Sequence, residues 1–192
     1  MPELPTTTRG AATSRRILDA AAEEFAEFGI AGARIDRITA AARTNKAQLY
    51  GYFGSKEGLL DAVVDDLRTQ GAHAVTFDAG DLPGWAVAMY DESLRRPLFA
   101  RLMGWMRLEQ RRVGLLFDDV DLADKFAAVA REQAAGRLRA GDPADLLTLI
   151  VAMADAWSAT SRAYAASPDE PAADHDRRRT LLRETVQRAI AP

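Results

Sequence analysis

The chain has 192 residues, 25 Lys and Arg against 28 Asp and Glu, and no cysteine. That length suits one large domain or a small domain fused to a larger one, and the missing cysteines exclude a disulfide framework and a thiolate metal site. No apolar run approaches the roughly 18–20 residues of a membrane span, and the N-terminus lacks an apolar signal core, so a cytoplasmic protein with no membrane partner is expected.

Alanine is abundant, and glycine and proline sit mostly at punctuation points, which predicts an all-α fold. Residues 1–10 have no periodicity and read as a mobile arm. Ile17, Ala21, Phe25 and Phe28 recur at helical spacing before Gly29, which predicts a helix over 11–28. Ile35 and Ile38 anchor a short second helix. Asn45 is a good N-cap for a third helix carrying Leu49 and Phe53. Ser55 can cap a fourth over about 56–71, with Leu60, Val63, Val64 and Leu67 as its apolar stripe.

Residues 73–84 then read as a connection, followed by a helical face of Leu82, Trp85, Ala86, Met89 and Tyr90. Pro97 suits the first turn of the next helix, and another is expected over about 121–140, stopped by Gly141. Asp142-Pro143 opens a long helix over 142–166. Its apolar residues form two stripes, Leu146-Ile150-Ala154-Trp157 and Leu149-Met153-Ala156-Thr160, and a helix apolar on two faces needs a second partner. A final amphipathic helix is expected over 174–190. The domain division is therefore 11–56 and 57–192.

Residues 35–57 carry the chemistry. They read as two short helices joined by a turn, with hydrogen-bonding and basic residues gathered on the second, which is how a helix-turn-helix enters the DNA major groove. Residues 1–56 hold eight Lys and Arg against six Asp and Glu, while 57–192 hold 17 against 22, so the basic balance lies at the proposed reader. The reading segment runs from Asn45 to Phe53. Gln48 can pair with a base edge, and Lys46 with guanine or phosphate. Thr44, Tyr50 and Tyr52 offer hydroxyls to phosphate oxygens, with Arg34 and Arg43 as further contacts. Lys56 lies in a first helical turn, where free amides already favour an anion.

Ile17-Leu18-Asp19-Ala20-Ala21, Phe25-Ala26-Glu27-Phe28-Gly29 and Leu49-Tyr50-Gly51-Tyr52-Phe53-Gly54-Ser55-Lys56-Glu57-Gly58-Leu59-Leu60 together resemble the N-terminal domain of TetR-family transcriptional regulators. Three positions depart from the family pattern: Arg43 stands for the turn Gly, Thr44 for an apolar residue, and Ala33 for a small polar cap. A left-handed Arg43 would be strained, so a slightly different turn is expected. The resemblance implies a homodimer that binds a palindromic double-stranded DNA operator. It also implies a C-terminal domain that binds a small-molecule effector, and last helices, about 142–166 and 174–190, that pair between protomers.

The second domain gathers Trp85, Met89, Tyr90, Phe99, Met103, Trp105, Met106, Phe117, Met153 and Trp157. These residues line an apolar effector cavity or form plain core. Arg107, Glu109 and Asp155 are polar determinants of such a cavity or ordinary charges. His73 and His175 have no ligand-type partner at helical spacing, and Arg177-Arg178-Arg179 reads as a solvated face. No nucleophile and base pair, metal cluster or phosphate loop is present, so neither an enzyme nor a cofactor is expected. The function expected is a ligand-responsive repressor. A DNA-binding dimer without a pocket and a helical carrier are the alternatives.

Overall fold

The computed structural model describes residues 8–109 and 120–192. The expected arm falls largely outside these residues, as does Phe117. Among the described residues the regular elements are helices: α1 (Thr8–Gly32), α2 (Ile35–Ala41), α3 (Lys46–Phe53), α4 (Lys56–Ala74), α5 (Leu82–Arg95), α6 (Pro97–Glu109), α7 (Val120–Ala134), α8 (Pro143–Ala154) and α9 (Ala172–Ile190), with a 3-10 turn at Asp155–Trp157. The all-α expectation holds.

The chain divides into two compact units, residues 1–71 with 101–112 and residues 72–100 with 113–192. In the first unit α1, α2 and α3 pack against one another, and Ile17, Phe25, Ile38, Leu49 and Leu59 are fully buried. The α4 stripe read from sequence is buried as a set, from Leu60 to Leu67. Leu102 and Met106, on the later part of α6, are buried as well. In the second unit α5 packs on α8 and α9, and α8 also meets α7. Leu82, Trp85, Tyr90, Leu147, Ile150 and Val186 belong to the buried core of that unit.

Several boundaries differ from expectation, each for a local reason. α4 runs on to Ala74, so the connection to α5 is shorter, and Asp81 caps α5 by accepting from the Gly84 amide at 2.8 Å. α7 ends at Ala134 instead of Ala140 because Gly136 turns left-handed (φ 71°) and the following Leu138 is buried. The helix opened by Asp142 and Pro143 stops at Ala154, not at residue 166. There the Ser158 amide bonds to the Asp155 carbonyl, and the Ser161 hydroxyl donates to the Ala156 carbonyl at 2.6 Å, so serine groups take over the backbone partners that a continued helix would use. Only the first apolar stripe of α8 is buried, while Leu149 on the second is 61% exposed.

Glu24 on α1 ties the second helix to the first. Its carboxylate is 7% exposed and accepts from the Arg34 amide at 2.8 Å and from Arg37 Nε at 2.8 Å. Burial works against its charge, but the Arg37 guanidinium and the Arg34 amide more than offset this and hold the carboxyl below its ordinary range. The stability gained is therefore fully present above the unfolded-chain value of about 4.3. It is lost as pH falls through the lower folded value. Urea titrations between neutral and acid pH should show the slope over this window flattening in Glu24→Gln, together with lower stability at neutral pH. An unchanged acid limb would remove Glu24 from the linkage.

Candidate DNA-binding interface

The reader is held from beneath. Leu49 (0% exposed) and Phe53 (5%) anchor α3, and the Asn45 side chain caps it by accepting from the Gln48 amide at 2.9 Å, as the sequence predicts. Lys46, Gln48 and Tyr50 are left exposed, with Tyr52 partly covered edge-on to Phe53. Thr44 donates its hydroxyl hydrogen to Gln48 Oε1 at 2.5 Å, so the amide group of Gln48 has one orientation. Lys46 pairs with Asp36 of α2 at 2.7 Å, which raises its affinity for its proton. Arg34 and Arg43 are exposed.

The turn between α2 and α3 is not remodelled, contrary to expectation. The Thr44 amide bonds to the Thr39 carbonyl at 3.0 Å and the Arg43 amide to the Ala40 carbonyl at 3.2 Å, the paired bonds of a Schellman ending. Arg43 takes the left-handed position that glycine usually fills, at φ 51°. Arg16 of α1 steadies this turn by donating to the Ala42 carbonyl at 3.1 Å. The Ala33 departure has its own answer: α2 begins after Arg34 without a side-chain cap, and Glu24 binds the Arg34 amide.

Lys56 is turned inward. Its ammonium donates to the Ala33 carbonyl at 2.7 Å and to the Ala31 carbonyl at 3.3 Å, and so closes the C-terminal end of the last turn of α1. The start of that turn is closed by Glu109. At Gly29 (φ 75°, ψ 175°) α1 breaks, as the sequence suggests, and Glu109 accepts from the Ile30 amide at 3.0 Å and the Ala31 amide at 2.7 Å just beyond. A Cβ at residue 29 would collide with that carboxylate and lie 3.1 Å from the Trp105 ring. Glu109 is thus a helix cap within the reader's own unit and not a polar element of the second unit.

The effector candidates among the described residues fall in both units. Trp85, Met89, Tyr90, Met153 and Trp157 belong to or border the core of the second unit, and Phe99 lies in that unit's part of the chain. Met103, Trp105 and Met106 lie in the reader's unit, and Trp105 donates its indole hydrogen to the Ala26 carbonyl at 3.2 Å. Sequence reasoning overlooked Arg16 and Glu24. Their only signal was a polar residue interrupting an otherwise small or apolar face.

Two substitutions test this geometry. Arg43→Gly removes a left-handed strain of about 1–2 kcal/mol and adds backbone freedom to the unfolded chain worth about 0.5–1 kcal/mol. A rise in melting temperature is expected, and no rise would mean Arg43 is unstrained. Glu109→Ala strips two amides of a charged acceptor and should cost about 1–3 kcal/mol in denaturant titration, with Glu109→Gln costing less. Equal stability in all three proteins would contradict the capping role.

Residues 17–63 match the family described as bacterial regulatory proteins, tetR family, and residues 81–188 match its tetracyclin repressor-like C-terminal domain. The HTH-type transcriptional repressor SCO4008 of Streptomyces coelicolor is 40% identical over 151 residues, 77% of this chain and 78% of its own length. The A-factor receptor protein of Streptomyces griseus is 40% identical over 58 residues, 30% of this chain and 21% of its own. The crystal structure of the Streptomyces coelicolor regulator SCO4942 superposes with a TM-score of 0.78 at 37% identity, covering 93% of this chain and 98% of its own. With both family matches falling in order along a chain that carries a capped, exposed reading helix, the protein is a DNA-binding transcriptional regulator of the TetR family.

Proposed function

We propose that the protein is a homodimeric repressor that leaves an approximately palindromic operator when a small molecule binds its second unit. The observation that carries the DNA half is α3 itself, seated through Leu49 and Phe53 with Lys46, Gln48 and Tyr50 outward. Gln48 and Lys46 read base edges, Thr44 holds Gln48 through its one hydroxyl hydrogen, and Arg34, Arg43, Tyr50 and Tyr52 position the helix on phosphates. Lys46 exchanges Asp36 for a base or phosphate on docking. Lys56 contributes mainly by holding the Ala31 and Ala33 carbonyls.

Two exposed leucines, Leu149 on α8 and Leu181 on α9, support pairing of these helices with a second copy. A dimer puts two reading helices on one side of the duplex, so each operator half mirrors the other. Release needs only that the effector prefer a protomer arrangement that fits the operator less well. A tenfold loss of affinity corresponds to about 1.4 kcal/mol of coupling. The reader and the second unit are joined covalently through α4 and through α6, and these helices are the proposed transmitters. This reading involves no chemistry on the ligand and a cytoplasmic protein.

Selection from random duplexes at fixed salt should enrich a palindrome. Gln48→Ala should relax one base position per half-site, at a cost of about 1–3 kcal/mol for that base pair. Arg43→Ala should weaken all sequences alike and lower the salt dependence by about one counterion for each phosphate left without its guanidinium. An unenriched pool, or binding indifferent to both changes, would refute the reading roles.

A further inference from the structure

Three positions of the reading domain depart from the family pattern, and two are accounted for by the fold: Arg43 by the turn it completes, Ala33 by the Glu24 carboxylate that takes the Arg34 amide. Thr44 is not. It is only half-buried, so the core does not ask for it, and a hydroxyl stands where an apolar side chain is usual.

The position of that hydroxyl is set by the backbone. The Thr44 amide is tied to the Thr39 carbonyl at 3.0 Å, and Asn45 follows as the N-cap of α3. From this fixed point the Thr44 hydroxyl reaches one helical turn forward to Gln48 Oε1 at 2.5 Å, on the exposed face of α3. So short a separation belongs to O–H···O bonds and lies below the range of N–H···O bonds, so the oxygen of the amide faces Thr44 and the nitrogen does not. Oxygen and nitrogen sit on opposite sides of one planar carbon. Nε2 is therefore the end of the side chain left to meet a base.

A glutamine amide is by itself ambivalent. Its nitrogen donates and its oxygen accepts, which suits the acceptor N7 and the donor N6 of adenine. With Oε1 already accepting from Thr44, a two-bond adenine contact needs N6 to crowd onto the same oxygen beside the threonine hydroxyl. Guanine asks nothing of that oxygen. Its O6 and N7 are both acceptors and meet the hydrogens of Nε2 alone. Cytosine turns its N4 donor toward a donor, and thymine offers the single acceptor O4 beside a methyl group. Lys46, the other group assigned to base edges, also only donates, whether free or paired with Asp36 at 2.7 Å.

We propose that Thr44 is a specificity-determining residue: by holding Oε1 it presents Gln48 to the groove as a donor and selects guanine at the base pair that Gln48 reads. The inference rests on the reading role of Gln48 given above and names its base. Thr44 acts through Gln48, with no base contact of its own required.

The test is operator selection with the full-length protein at fixed salt, repeated with Gln48→Ala, Thr44→Val and Thr44→Ser. The position that Gln48→Ala relaxes identifies the base pair. There the unaltered protein should enrich guanine, and duplexes carrying adenine in its place should bind more weakly by about tenfold. Inosine keeps O6 and N7 on its major-groove edge and should bind within about twofold of guanine. Thr44→Val frees Oε1, and the preference for guanine over adenine should shrink by on the order of tenfold, chiefly through tighter adenine binding. Thr44→Ser keeps the hydroxyl and should keep the preference. A turn that is merely disturbed weakens guanine and adenine duplexes alike and leaves their ratio unchanged.

Adenine, thymine or cytosine enriched at that position would overturn the guanine assignment and leave Gln48 a reader. An undiminished guanine preference in Thr44→Val would overturn the role of Thr44. Inosine binding as weakly as adenine would overturn the contact with O6 and N7, and this comparison uses the unaltered protein, so it holds whatever Thr44→Val does to the fold. A pool without a palindrome, or one in which Gln48→Ala relaxes no position, defeats the reading role itself and this inference with it.

Discussion

Gly29 lets one helix end and another turn begin within four residues of the reading domain, and everything DNA-facing is built from that break. A break exposes amides on one side and carbonyls on the other, and each needs a partner from outside the helix. Here both are met by charged side chains distant in sequence, Glu109 for the amides of residues 30 and 31 and Lys56 for the carbonyls of residues 31 and 33. The contacts are mutually dependent, since the carboxylate occupies the space that any side chain at position 29 would need. From this corner Glu24 sets α2, the Asn45 cap and the Leu49 and Phe53 anchors set α3, and the reading face follows.

The second unit solves a different problem with similar materials. α9 is rich in charge, yet its charges are spent locally: Arg177 on Asp174, Arg178 on Glu170, and Arg179 on Asp91 and Asp176. Charge is thereby neutralised at short range along this helix. Arg178 is interior, so the run Arg177-Arg178-Arg179 is not the solvated face expected from its composition. The same helix turns Leu182, Val186 and Ile190 into the core and Leu181 outward. One element therefore serves core and surface from successive faces.

Much of this was legible in the sequence where the determinant is local. The apolar spacing of Leu60, Val63, Val64 and Leu67, the Asn45 and Asp142 caps, Pro97 and Pro143 in first turns, and the break at Gly29 each act within a few residues and are realised as read. What escaped depends on distant partners or on competing turn chemistry. Periodicity carries α8 past residue 160, but the hydroxyls of Ser158 and Ser161 recruit the backbone at a point that apolar spacing cannot register. Arg43 was expected to reshape its turn, whereas Arg16, far earlier in the chain, helps hold the ordinary one. The aromatic and methionine set is grouped by composition alone, and α6 carries its members across the boundary of the two units.

The hydroxyl of Thr44 on Gln48 has a thermodynamic meaning for recognition. A free glutamine loses rotamer freedom when it meets a base, on the order of 1–2 kcal/mol. Here part of that loss is incurred on folding, because the Thr44 hydroxyl holds the amide and Asn45 holds the backbone beneath it. Base discrimination by Gln48 should therefore carry a smaller entropic penalty than an untethered side chain in the same groove, and the apolar residue usual at position 44 in this family would forfeit that advantage.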